Sequence, residues 1–213
     1  MNQRYVKGSL SENDFYEIYL IDKSFYGEKY LLKLEDYKNR YIKNPNIYYT
    51  SRDSRNRIIG YFSVIPVTYD AYVRIKNGEL DKEVLTLDNI LSPQEEAHYV
   101  YLDSLVINPS YRSNSFKWRR FGSRLYYYVY EDVLLSNPNL KRAITLAISK
   151  GGKRLSEKNG FQPKFQISKE EIIFEKNIIE KKKVKKKLYK DKNKNLIISK
   201  RRNIDILKIG PDY

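Results

Sequence analysis

The chain has 213 residues, 41% of them hydrophobic, with no cysteine, a single histidine and a formal net charge of +15. That length holds one sizeable core plus an appendage. The missing cysteines exclude a disulfide framework, a thiolate nucleophile and a cysteine-based metal site, and His98 alone cannot furnish a zinc site or a His-dependent triad. The opening residues MNQRYVKGSL carry no apolar signal-like run, and no segment reaches the ~18 apolar residues of a membrane span. The expectation is a cytoplasmic protein that does not contact a membrane.

Taken in order, residues 3–8 suit a short strand. Ser11-Glu12-Asn13-Asp14 then has the form of a capping box ahead of Phe15, Ile18, Tyr19, Asp22 and Phe25, which fall at near-helical spacing. A second helix is predicted over Leu31–Ile42, stopped by Asn44-Pro45, because a residue before proline is pushed out of the α region. Ile47–Thr50 and Arg57–Thr68 are rich in β-branched and aromatic residues and flank the polar turn SRDSRN, a hairpin pattern, with Pro66 marking an edge, bend or bulge. VLTLDNIL reads as a short strand or extended segment and AHYVYLDSLVI, Ala97–Ile107, as a long strand ended by Asn108-Pro109. From Gly122 to about Leu135 the pattern is helical, with Leu125, Val129 and Val133 on one face. Leu140–Ile148 reads as a buried strand and Gly151–Asn159 as a short helix closed by Gly160, since glycine tolerates the left-handed conformation. Phe161–Ile167 and Glu171–Phe174 supply one or two final strands. Helices interleaved with strands in this order predict an α/β (α+β) domain with a mixed sheet.

Charge divides the chain further. Residues 180–202 hold twelve Lys or Arg against Glu180 and Asp191, so residues 1–179 are only mildly basic and 180–213 form a basic C-terminal extension. KKKVKKKLYKDKNKN has too little apolar content to fold alone, whereas LIISKRRNIDILKI regains some. A basic arm over 181–202 suits RNA or another polyanion through a salt-dependent phosphate interaction. A rival explanation is coding bias, since Lys, Asn, Ile and Tyr are favoured in A/T-rich genomes.

KWRRFGSRLYYYV, Lys117–Val129, sets Gly122 among Lys117, Arg119, Arg120 and Arg124 where a helical pattern begins. Backbone N–H groups at a helix start with cations beside them suit a pyrophosphate. On this stretch alone, a basic helix start with a glycine of no special role is the favoured reading. Tyr126, Tyr127, Tyr128 and Tyr130 in a helical run cannot share one surface, which makes most of them packing residues rather than a stacking platform.

Three segments together resemble the GNAT acyltransferase superfamily: YLDSLVINPSYR its fourth strand and following turn, the stretch around Gly122 its pyrophosphate loop and helix, and LSEKNGF its late Tyr-Glu-Lys-Leu-Gly-Phe signature. The resemblance covers residues 3–175. It implies a mostly antiparallel mixed sheet flanked by helices and splayed between strands 4 and 5, with acetyl-CoA as cofactor. The pantetheine arm would lie on Leu105, Val106 and Ile107. Its pyrophosphate would meet Lys117, Arg119, Arg120, Phe121, Gly122, Ser123 and Arg124. Lys117 stands in a Gln/Arg place, Arg120 replaces the first glycine, and the loop is longer than usual by about five residues. Cationic side chains would then take contacts usually made by backbone amides. Ser149 occupies the place of an Asn near the cofactor.

The implied reaction is N-acetylation of a primary amine of unknown class by direct attack. Asp103 is the candidate base, sharing a face with Tyr101 and Leu105 on an alternating strand. Ser156 stands where the family has a tyrosine acid. His98, at the mouth of the same strand, reads as a strand-end residue. The tyrosines at 48, 49, 61, 69 and 72 fall in the region that faces the acceptor in the family. A second reading is a non-catalytic domain of the same fold that binds nucleic acid through the 117–124 loop and the basic extension. A third joins the two, with the amine carried on RNA.

Overall fold

A computed structural model describes residues 4–26, 30–80, 84–111 and 121–178. Lys117, Arg119, Arg120 and the basic extension lie outside them. Seven strands form one sheet: β1 (Arg4–Lys7), β2 (Tyr48–Arg52), β3 (Ile58–Val67), β4 (Tyr99–Ile107), β5 (Arg142–Ala147), β6 (Gln162–Gln166) and β7 (Ile172–Asn177), in the order β1-β2-β3-β4-β5-β7-β6. All neighbours are antiparallel except β4 and β5. The five α-helices described are α1 (Glu12–Tyr26), α2 (Leu34–Lys43), α3 (Tyr69–Lys76), α4 (Phe121–Val129) and α5 (Lys150–Lys158).

Alternation along the central strands builds two cores. Tyr61, Ile65 and Val67 of β3, with Tyr101 and Ile144, pack beneath α1, α2 and α3 through Ile18, Ile21, Tyr37, Tyr72 and Ile75. Phe62, Val64, Val100, Leu102 and Ala143 face the other way and meet Leu125, Tyr126, Val129 and Phe161. With helices on both faces β3 has no wet side, which is why IIGYFSVIPV is a nearly continuous apolar run. Pro66 lies beyond the part of β3 that β2 covers, where its lack of an N–H breaks no rung on that side.

Local signals explain most boundaries. The Ser11 amide and hydroxyl both donate to Asp14 Oδ2, at 2.7 and 2.8 Å, closing the start of α1. Asn44 ends α2 and accepts from the Asn46 amide at 3.0 Å. Gly160, at φ +74°, terminates α5. Three departures are informative. YDAYVRIK, a stretch to which the sequence analysis assigns no element, folds as α3, capped by Thr68, whose hydroxyl accepts from the Ala71 amide at 3.3 Å. VLTLDNIL contains a 3-10 turn over Leu87–Asn89 and a single bridge from Ile90 to Val67, not a strand. After Val129 the helix widens to a π turn over Tyr130–Leu135, which advances the buried position by one residue so that Leu134, not Val133, enters the core.

Candidate acyl-donor and acceptor site

β4 and β5 begin as a parallel pair and then part. Their register runs from Tyr99–Arg142 to Leu102–Thr145 and stops. The Thr145 hydroxyl donates to the Leu102 carbonyl at 2.8 Å on that last rung. β4 continues to Ile107, held on its other edge by β3 through Ser63–Ser104, Phe62–Leu105, Tyr61–Val106 and Gly60–Ile107. Gly60 permits this close approach, since a methyl there would lie 2.6 Å from the Val106 carbonyl oxygen. Among the described residues no strand pairs with the β5-side edge of β4 beyond Leu102, which leaves Leu105 and Val106 outside any ladder on that side.

Asp103 sits at the point of parting, and it is a bulge. Val64 pairs with Leu102 and Ser63 with Ser104, leaving Asp103 as the extra residue on β4. The bulge reverses the alternation: Tyr101 and Val106 belong to one core, Leu102 and Leu105 to the other. Asp103 therefore does not share a face with both Tyr101 and Leu105, as strict alternation predicts. Its carboxylate lies 3.5 Å from Arg40 Nη1 of α2, on the α1/α2 side. Burial pushes its pKa up, against the pull of Arg40.

The core beneath α1 holds a second acid that sequence reasoning passed over. Asp22 of α1 is 3% exposed and accepts the hydroxyls of Tyr37 at 2.6 Å and Tyr61 at 2.5 Å. Burial raises it to about 6; the two phenols and Arg40 oppose that rise and Asp103 adds to it. The only sequence signal was an aspartate among apolar residues on the inner face of a helix. Near this cluster Tyr30, between α1 and α2, donates to Glu171, between β6 and β7.

The remaining candidates are distributed over α4, α5 and the strands. α4 begins at Phe121, which is buried, and exposes Arg124. Gly122 has no positive φ, and a methyl there would meet only Ile107 Cγ1, at 3.6 Å. Packing does not demand a glycine at this position. Ser149 is the N-cap of α5 and accepts the Gly152 amide at 3.0 Å, while Ser156 is buried within α5. His98 lies at the opposite end of β4 from the parting, its Nδ1 3.0 Å from the Asn139 carbonyl oxygen, so it is not at the mouth. Tyr48, Tyr49, Tyr61 and Tyr72 are buried, and Tyr69 is exposed.

Beyond β4, Asn108–Tyr111 and α1 border a cavity of about 550 Å³ with Leu20, Ile21 and Ile58 on its walls. None of the residues proposed from sequence lines it. Asp53 fixes the turn beside it, accepting the Tyr111 hydroxyl at 2.9 Å, the Arg55 and Arg57 amides, and both Nε and Nη2 of Arg57. Among the described residues no cluster of His, Asp or Glu could hold a metal, and no helix is long and apolar enough to cross a membrane.

Comparison with solved structures places this architecture. The loading GNATL domain of CurA from Lyngbya majuscula matches at a TM-score of 0.64 and 10% identity, over 84% of this chain and 100% of that one. The chain has a GNAT-like fold. The GphF GNAT-like decarboxylase in complex with isobutyryl-CoA matches at 0.60 and 12% identity, over 84% of this chain and 100% of that one. The PaiA N-acetyltransferase from Thermoplasma acidophilum in complex with coenzyme A matches at 0.52 and 14%, over 83% and 99%. No family model and no curated protein sequence matches the chain. The GNAT-like fold is therefore carried by topology: a mostly antiparallel seven-stranded sheet with one parallel pair that opens partway along.

Proposed function

We propose that the chain is an N-acetyltransferase that passes the acetyl group of acetyl-CoA to a primary amine. The observation that carries this reading is the parting of β4 from β5 at Leu102–Thr145 with a carboxylate, Asp103, at its apex. Two structural neighbours are described as complexes with a CoA species, one a decarboxylase and one an N-acetyltransferase. The β5-side edge of Leu105 and Val106, which no described strand pairs, fits the amide groups of a pantetheine arm that would run on toward Ile107. The first turn of α4, Phe121 to Arg124, fits its phosphates, because helix N-termini favour anions and Gly122 leaves room for them to approach the backbone. Lys117, Arg119 and Arg120 precede that turn and supply charge.

Acetyl-CoA supplies the acyl carbon as an activated thioester. The chain supplies position and a place for a proton. An amine arrives as its ammonium form and must lose a proton before its nitrogen can attack; Asp103 takes that proton, and Arg40 holds the carboxylate in place. Ser156 is a weak acid, but a thiolate is a competent leaving group without strong acid assistance. Decarboxylation, the activity named for one neighbour, requires an acyl group bearing its own carboxylate. Asp103, a carboxylate at the apex of the parting, disfavours a second anion there.

A thiol-release assay tests the reading with little background, because the chain has no cysteine of its own. With acetyl-CoA and a panel of primary amines, release of CoA should depend on the amine and yield the N-acetyl product. Amine-independent release would overturn it.

A further inference from the structure

We propose that the amine acceptor is an amino acid: a zwitterion whose ammonium lies against Asp103 and whose carboxylate takes the Arg40 donors that Asp103 leaves unused. The proposal names the acceptor of the acetyltransferase reading and rests on that reading for turnover, though not for binding.

Arg40 of α2 steadies Asp103 through one atom, Nη1, at 3.5 Å from Oδ2. Two other arginine–aspartate pairs in the chain show the usual closer geometry. Arg52 Nη1 lies 2.7 Å from Asp14 Oδ1, and Arg57 holds Asp53 Oδ2 with Nε at 2.9 Å and Nη2 at 2.8 Å. A guanidinium carries five N–H donors, and burying them without partners is costly. Among the described residues the contact with Asp103 is the one hydrogen bond of the Arg40 side chain, although Arg40 is 7% exposed. The remaining donors are not sealed away. The described side-chain atoms that are both fully buried and without a partner are the hydroxyl oxygens of Tyr5, Thr50, Ser63 and Tyr126, and no nitrogen of Arg40 is among them. Nε and Nη2 therefore keep accessible surface, next to an Asp103 side chain that keeps 21% of its own.

Position gives these donors a use. Asp103 is the bulge at the apex of the β4–β5 parting, and its pair with Arg40 lies on the α1/α2 face of the sheet. α4, whose first turn fits the phosphates of the acyl donor, packs on the opposite face through Leu125, Tyr126 and Val129. A molecule that meets the acyl group from the α1/α2 face meets an acid and a cation side by side. A simple amine would pair with Asp103 and bring nothing to Arg40. A dicarboxylate or a phosphate would satisfy Arg40 and be repelled by Asp103. An ammonium and a carboxylate borne on one carbon stand close together, as Asp103 and Arg40 do, and lie against them charge to opposite charge. Such a ligand is neutral overall, so its carboxylate arrives with its own counter-charge, which the lone anion of a carboxyacyl group does not. Arg40 then adds charge-assisted bonds to a carboxylate that matches its planar fork.

Titration calorimetry on the intact chain, alone and with CoA present, tests this with glycine, alanine, leucine, phenylalanine, lysine and glutamate. Each is compared with its own α-amide, which keeps the amine and removes the charge of the carboxylate. At least one amino acid should bind more tightly than its amide by about tenfold or more. In Arg40→Gln that ratio should fall to near one, with affinity for the amide unchanged. Arg40→Lys, which keeps the charge and loses the fork, should lower the ratio in part and serves if Arg40→Gln does not fold. No saturable binding by any of the six, a ratio near one for every pair, or a ratio unchanged in the folded variant overturns the proposal. Binding that separates acid from amide through Arg40, without acetyl transfer to any of the six, would leave the zwitterion site standing and remove the acetyltransferase reading. Amine-dependent CoA release with equal kcat/KM for each acid and its amide would keep that reading and overturn the proposal.

Discussion

The Thr145 hydroxyl donates to the Leu102 carbonyl on the last rung that joins β4 to β5, so the sheet closes on a side-chain hydrogen bond where it begins to open. Thr145→Val keeps the shape and removes the donor. It should cost about 1–3 kcal/mol of stability if the carbonyl finds no other partner. If the rung sets the position of the parting, the KM for acetyl-CoA should rise more than kcat falls. Urea unfolding and steady-state kinetics on the same variant separate the two effects.

Asp103→Asn keeps the shape of the group and removes its basicity. Turnover should fall by about 10²–10⁴, the usual contribution of a positioned acid or base. Acetyl-CoA binding should be unchanged. A variant that retains parent turnover at every pH would show that the acceptor loses its proton elsewhere.

Two acids should give opposite signs in stability against pH. Asp53 is buried, which disfavours its charge, but Arg57, Tyr111 and two backbone amides hold it down to about 2. Its contribution is present above about pH 4 and is lost as pH falls toward 2, since the unfolded chain takes up the proton first. Asp22, raised to about 6, behaves in reverse. The folded chain takes up that proton first, so the contribution is full below about pH 4 and is lost as pH rises through 6, about 3 kcal/mol in all. Urea midpoints from pH 2 to 8 should lose the 4–6 window in Asp22→Asn and the 2–4 window in Asp53→Asn.

Gly122→Ala separates fold from ligand. A methyl at this position meets only Ile107 at an ordinary contact distance, and alanine favours a helix over glycine. The melting temperature should hold or rise. Acetyl-CoA affinity should fall, because the methyl stands where phosphate must reach the backbone. Unchanged affinity would move the phosphates off this turn.

Much of the sheet was legible because its residues answer to one environment each. Ile58–Val67 is a nearly continuous apolar run that reads as a strand, and Asn44-Pro45 and Gly160 stop helices by backbone geometry alone. α3 escaped notice because YDAYVRIK follows the strand with no glycine or proline between, its cap being Thr68, itself a β-branched residue. The π turn and the Asp103 bulge are insertions of one residue, and a one-residue shift leaves composition and spacing unchanged until a partner strand or core fixes the register. The position of Asp103 beside the parting was legible from the strand, whereas its bulge was not. Asp22 and Thr145 were not, since their roles depend on Tyr37, Tyr61 and Leu102, residues distant in sequence.

Calorimetric titration of the full chain with acetyl-CoA tests the central claim most directly. The account predicts saturable one-to-one binding that weakens in Gly122→Ala and persists in Asp103→Asn. No heat of binding with acetyl-CoA or with free CoA, from protein that is folded by its melting curve, would contradict it and leave a GNAT-like fold serving some other ligand.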